Sequence, residues 1–135
     1  MIERIEFNEQ LISLIIRKNF YKEGIEFFTS DNSFQQIGYM NRNAGYEIEP
    51  HIHNKIERVI DRTQEVLFIK SGKVRIDYYN EENVFLESRV VCEGDVILLA
   101  SGGHGFLMLE KSEIIEVKQG PYCGEADKSR FNKNI

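Results

Sequence analysis

A chain of 135 residues has room for one hydrophobic core and not for two separate ones. Its composition, 41% hydrophobic and 29% charged with 9 Phe and 6 Tyr, excludes a disordered segment, and a formal net charge of -5 excludes a broad nucleic-acid surface, which needs clustered Lys and Arg. No apolar run approaches the roughly 20 residues that span a bilayer, and Met1 to Phe7 carries Glu3 and Glu6 where a secretory leader would be basic. The chain is therefore expected to be cytoplasmic, with no membrane partner. Cys92 and Cys123 lie far apart without a Cys-x-x-Cys spacing and read as reduced thiols.

In chain order, the pattern predicts a short strand from Glu3 to Phe7 and a helix from about Glu9 to Phe20, with Asn8 as its N-cap and Glu9 in its first turn. Leu11, Leu14, Ile15 and Lys18 fall on one helical face, and Ile12 and Ile16 widen it. After that come short β-rich runs: Gly24 to Phe28, Phe34 to Met40, Gly45 to His51, Glu65 to Lys70, Val74 to Tyr79, Val84 to Val91, Asp95 to Ala100, Phe106 to Leu109 and Glu113 to Lys118. Turn signals such as Ser71-Gly72 and Glu93-Gly94 separate them. Many strands with no interleaved helices predict an all-β sandwich, jelly roll or barrel. The expected organisation is one domain: residues 1–33 as a strand and helix packed on the body, 34–120 as the barrel, and 121–135 as a C-terminal tail. Asn54 to Gln64, charged and long for a strand connection, is expected to be a surface excursion.

On a strand, alternate side chains point to the same face, and His51-Ile52-His53 has the spacing that lets two imidazoles share one metal. Glu47 and Glu49 have the same parity. Glu49 is the candidate general base or orienter of a histidine, and an exposed glutamate is the alternative. Phe106 and Met108 share the parity of His104, as Leu67 and Ile69 share that of Glu65, so all four are expected to form apolar wall or core. Val66 and Phe68 have the opposite parity and need cover from the N-terminal helix or a second subunit, which predicts a homodimer. Near the C-terminus, Lys118, Tyr122 or Arg130 could pair with a carboxylate or phosphate of a ligand; a solvated tail is the plainer reading.

Gly45, His51, His53, Glu65 and Gly72 run in the order Gly, five residues, His-x-His, a gap, Glu, six residues, Gly. This resembles the first motif of the cupin superfamily, with eleven residues in a gap that usually holds three or four. Glu57 has the usual distance from His53, but no Gly follows it at the proper place, so Glu65 is the matching carboxylate. Gly94 to His104 is similar to the second cupin motif, with Ala100 in place of the usual Pro, a turn one residue shorter, and Met108 where the family has Asn. The resemblance covers about Phe34 to Val117. It implies a cupin double-stranded β-helix, a jelly-roll barrel, with one divalent metal ion held by His51, His53, Glu65 and His104.

Three imidazoles and a carboxylate suit Fe, Mn, Ni, Zn or Cu, and leave one or two positions open on a six-coordinate ion. The resemblance thus implies a metal-binding enzyme whose small-molecule substrate is an oxygenated metabolite, such as a sugar or sugar nucleotide. The reaction would be of isomerase or epimerase type, with Glu49 moving the proton. A mononuclear iron dioxygenase and a non-catalytic module that binds or senses a small ligand are the alternatives, since a fold does not fix a reaction.

Overall fold

The computed structural model of the chain describes residues 1–133, and strands dominate it. In chain order they are β1 (Ile2–Phe7), β2 (Gln10–Ile16), β3 (Gly24–Phe27), β4 (Gly38–Asn41), β5 (Glu65–Ser71), β6 (Lys73–Tyr79), β7 (Phe85–Cys92), β8 (Val96–Leu99), β9 (Gly103–Met108) and β10 (Glu113–Lys118), followed by a short 3₁₀ turn at Gly124–Asp127. Contacts group the chain into two compact units. One comprises Met1–Phe20 and the chain from Arg62 onward, and the other Tyr21–Asp61. Among the described residues, no helix is long and apolar enough to cross a membrane.

The helix expected over Glu9 to Phe20 is not formed. Gln10–Ile16 is instead a strand, paired with β1 on one side and β8 on the other. Asn8 and Glu9, with φ of 51° and 64°, make the two-residue turn between β1 and β2, and positive φ at both positions is the mark of a type I′ hairpin. The physical reason lies in Leu11 to Ile16. A run that is apolar at nearly every position fits a helical period and a strand buried on both faces equally well. Here every residue from Ile12 to Ile15 is buried, as a central strand requires.

The first unit is built of two antiparallel sheets, ordered β1-β2-β8-β5-β10 and β7-β6-β9. Ile5, Ile12, Ile15, Leu67, Ile69, Ile97 and Leu99 of the first pack with Val74, Ile76, Tyr78 and Val91 of the second in one buried cluster. Each such side chain contributes roughly 1.5–3 kcal/mol on leaving water. At its centre the Tyr78 hydroxyl lies 2.9 Å from Ser13 Oγ, which itself donates to the Leu98 carbonyl at 2.8 Å. Ser13 has one proton to give, so Tyr78 is the donor to Ser13. Between β5 and β6, Gly72 turns the chain with φ of 96°, where any side chain would run into Ser112 and the Lys111 carbonyl.

The edge of the sandwich where β1 faces β7 is closed by charge. Glu3 accepts from Arg17 at 2.7 Å and from Arg89 at 2.6 Å, and Arg17 also reaches Asp95 at 3.0 Å. The Arg17 hydrogen bond is the main cause holding the Glu3 carboxyl below its ordinary value, against partial burial. With no helix to lie over it, the outer face of β5 and β10 keeps Phe68, Ile115 and Val117 exposed.

In the second unit, β3 and β4 pair antiparallel from Gly24↔Asn41 to Phe27↔Gly38. The Phe28 N–H donates to the Ile37 carbonyl at 2.9 Å, and both residues are buried. From Arg42 to Asp61 the chain carries neither strand nor helix, so the strand expected from Gly45 to His51 is absent. Alternation licenses a strand, but only a partner with free backbone groups can make one.

Candidate metal centre

Strand register brings Glu65 and His104 to facing surfaces of the first unit. Glu65 opens β5 opposite Leu99 of β8 and Lys118 of β10, on the side of the buried Leu67 and Ile69. His104 lies opposite Tyr78, on the core-facing side of β9. The two belong to different sheets, and their side chains meet with Nε2 3.2 Å from Oε1. This hydrogen bond holds the Glu65 carboxyl below its ordinary value, while burial pushes the other way.

Phe106 and Met108 follow His104 along the core-facing side of β9, opposite Ile76 and Val74, as their parity requires. However, β9 is the outermost strand of its sheet, so they remain 38% and 48% exposed and form an open flank. Leu67 and Ile69, with strands on both sides, are core.

Two further polar residues stand here that the motif reading did not place. Glu116 pairs with Leu67 and Lys118 with Glu65, so both share the core-facing side of β10. Burial first, and the Glu65 carboxylate next, raise the Glu116 carboxyl above its ordinary value. Lys118 Nζ lies 3.8 Å from Glu116 Oε1. Glu65 is thus the carboxylate held low by His104, and Glu116 the neighbour held high. The signal was present in the sequence: Glu116 and Lys118 share the parity of Ile114, and two charges on an apolar face of a strand are costly without partners. One residue further on, Gln119 Oε1 accepts from the Gln64 N–H at 2.8 Å, and its buried Nε2 has no partner among the described residues. Of the other C-terminal candidates, Tyr122 is 90% exposed and Arg130 pairs with Glu125 at 2.6 Å.

The second unit carries Glu49, His51 and His53, all exposed and outside any strand. The parity that was to aim the Glu49 carboxylate beside the histidines therefore does not apply. Glu49 meets His51 through its main chain: His51 Nδ1–H donates to the Glu49 carbonyl at 2.8 Å. That leaves Nε2 with its lone pair, the arrangement metal-ligating histidines use. The His51 and His53 rings stand edge to face, 5.3 Å between centroids. Glu57 lies exposed in the same irregular stretch.

In kind, these donors fit a divalent ion, because imidazole nitrogen with carboxylate oxygen suits the first-row metals. Among the described residues, no group of three or more His, Cys, Asp or Glu side chains is gathered tightly enough to hold one. What the fold assembles within one unit is the Glu65–His104 pair, flanked by Glu116 and Lys118. No protein-family model, no curated protein and no solved structure matches the chain.

Proposed function

We propose that this protein is a metal-binding cupin with a jelly-roll barrel, working in the cytoplasm as a homodimer on a small oxygenated metabolite such as a sugar. In this reading Glu65 and His104 hold the metal with His51 and His53. The observation that carries it is the 3.2 Å meeting of Glu65 and His104, two motif residues brought from different sheets to one core-facing spot. The lone pair left on His51 Nε2 supports it, as does the agreement between the Gly72 turn and the motif that ends on that glycine. The two free thiols, Cys92 and Cys123, fit a reducing compartment.

When bound, the ion would polarise a carbonyl or hydroxyl of the metabolite. Around it, Phe106 and Met108 offer an apolar flank, and Glu116, its carboxyl raised above the ordinary value by burial and by Glu65, stands beside Lys118. Glu49 is the residue this reading assigns to proton transfer, in a reaction of isomerase or epimerase type. The test is elemental analysis of protein purified without chelators or a histidine tag, followed by metal titration. Wild type should carry a stoichiometric divalent metal, Glu65→Ala and His104→Ala should lose it, and Glu57→Ala should keep it. A wild-type protein that neither carries nor binds metal rejects the proposal.

A further inference from the structure

Residues 45–53 read Gly-Tyr-Glu-Ile-Glu-Pro-His-Ile-His, so Tyr46, Ile48 and Ile52 alternate with Glu47, Glu49, His51 and His53. Period-two alternation with β-branched residues is the pattern of a strand buried on one face. Yet this segment pairs with no strand, and Tyr46, Ile48 and Ile52 are 56%, 55% and 86% exposed. Ile56, Val59 and Ile60 continue the series at 63%, 86% and 42%. Together these six residues leave on the order of 700 Å² in water, somewhat over half of it from Tyr46, Ile48 and Ile52, against the roughly 800 Å² that each partner contributes to a stable interface.

A complementary surface exists on the first unit. The strand β10 ends its sheet, so among the described residues one side of its backbone has no ladder partner. Its outer face, with β5, shows Phe68, Ile115 and Val117, and its other face shows Glu116 and Lys118.

We infer that residues 45–53 add as a strand to the free edge of β10 in a second copy of this chain, giving a homodimer in which each arm covers its partner's sheet. The two faces of the arm match the two faces of that edge. Tyr46, Ile48 and Ile52 fall on the side of Phe68, Ile115 and Val117, while Glu47 and Glu49 fall on the side of Glu116 and Lys118, which favours the register that sets a glutamate opposite Lys118. Main-chain hydrogen bonds fix the added strand, and the apolar face drives its docking. A second copy is the occupant because every chain carries both an uncovered arm and an uncovered edge, so one twofold axis satisfies all four surfaces and leaves no open end. The pairing also turns the arm's histidines toward the Glu65 side of the partner's sheet, but it does not depend on a metal.

The test is mass in solution by light scattering. Wild type should give about twice the 15.8 kDa chain mass at micromolar concentration. Ile48→Asp with Ile52→Asp should raise the dimer dissociation constant by at least ~100-fold, since two buried apolar anchors are each worth tenfold or more. Both positions are exposed within one chain, so the circular dichroism spectrum should keep its strand signal. In a Cys92→Ser, Cys123→Ser background, Ile52→Cys combined with Ile115→Cys or Val117→Cys should oxidise to a linked pair of chains. A wild-type mass of 15.8 kDa at all concentrations, a dimer indifferent to the two aspartates, or a cross-link closed within one chain would each overturn the inference. Metal titration is read separately, so its failure and that of the dimer are distinguishable.

Discussion

Replacing Glu9 with Gly separates a hairpin from a helix at the N-terminus by the sign of one number. Glu9 sits at φ 64°, in the left-handed region, where a residue with a side chain costs roughly 1–2 kcal/mol. Glycine removes that cost but adds about 0.4–1 kcal/mol of freedom to the unfolded chain. The net expectation is a gain near 0.5–1 kcal/mol. Glu9 is exposed, so little else changes. In a helix the same substitution would lose up to about 1 kcal/mol. The chain has no Trp, which makes far-UV circular dichroism in urea the suitable assay. With m near 2 kcal/mol/M, the midpoint should move up by roughly 0.3–0.5 M at unchanged m. A midpoint that falls, with no change in m, would refute the turn and the strand pairing built on it.

Three other perturbations test the packing. Tyr78→Phe removes the donor to Ser13 and should cost about 1 kcal/mol by urea denaturation. Burial pushes the Tyr78 hydroxyl up to about 12, so wild type should lose stability as pH rises from about 10 toward 12, and the variant should lack this component; identical alkaline profiles would refute it. Glu3→Gln should cost about 1.5 kcal/mol at neutral pH by weakening the bonds to Arg17 and Arg89. Because the folded Glu3 carboxyl lies below its ordinary 4.5, its stabilising effect is complete above that value and is lost as pH falls through the folded one, so the two proteins should converge in acid and a constant gap would contradict the assignment. Gly72→Ala should destabilise by roughly 2 kcal/mol or more, since the alanine methyl must enter both the left-handed region and the space of Ser112; a neutral result in thermal denaturation would contradict the turn geometry.

The strands from Glu65 onward were legible because most are short runs set off by turn residues such as Gly, Asn or Ser, and alternation then told which side chains share a face, though not which strands pair. The N-terminal hairpin was not, for two reasons. Leu11 to Ile16 suits both periods, and Asn8, read as an N-cap, owes its place to a tolerance of left-handed backbone that serves a turn as well. In the candidate site, the resemblance to the cupin motifs is what singled out Glu65 and His104. Glu116 went unremarked and Lys118 was read only as a partner for a ligand's carboxylate or phosphate, since alternating charges on a terminal strand look like a solvated edge until the facing sheet is known. For Gly45 to His51 the local pattern was that of a strand, but pairing depends on a partner edge that no local pattern specifies.

Strand order carries a consequence for the chain as it is made. The β1–β2 hairpin is local and can close within microseconds of leaving the ribosome. Its other neighbour is β8, and Ser13 pairs with Leu99, near the far end of the sequence. At about 5–20 residues per second, that partner follows on the order of ten seconds later. Throughout the interval Leu14, Ile15 and the second edge of β2 stand uncovered on a nascent polypeptide, a natural landing place for a holdase chaperone and the stage of biogenesis most exposed to aggregation.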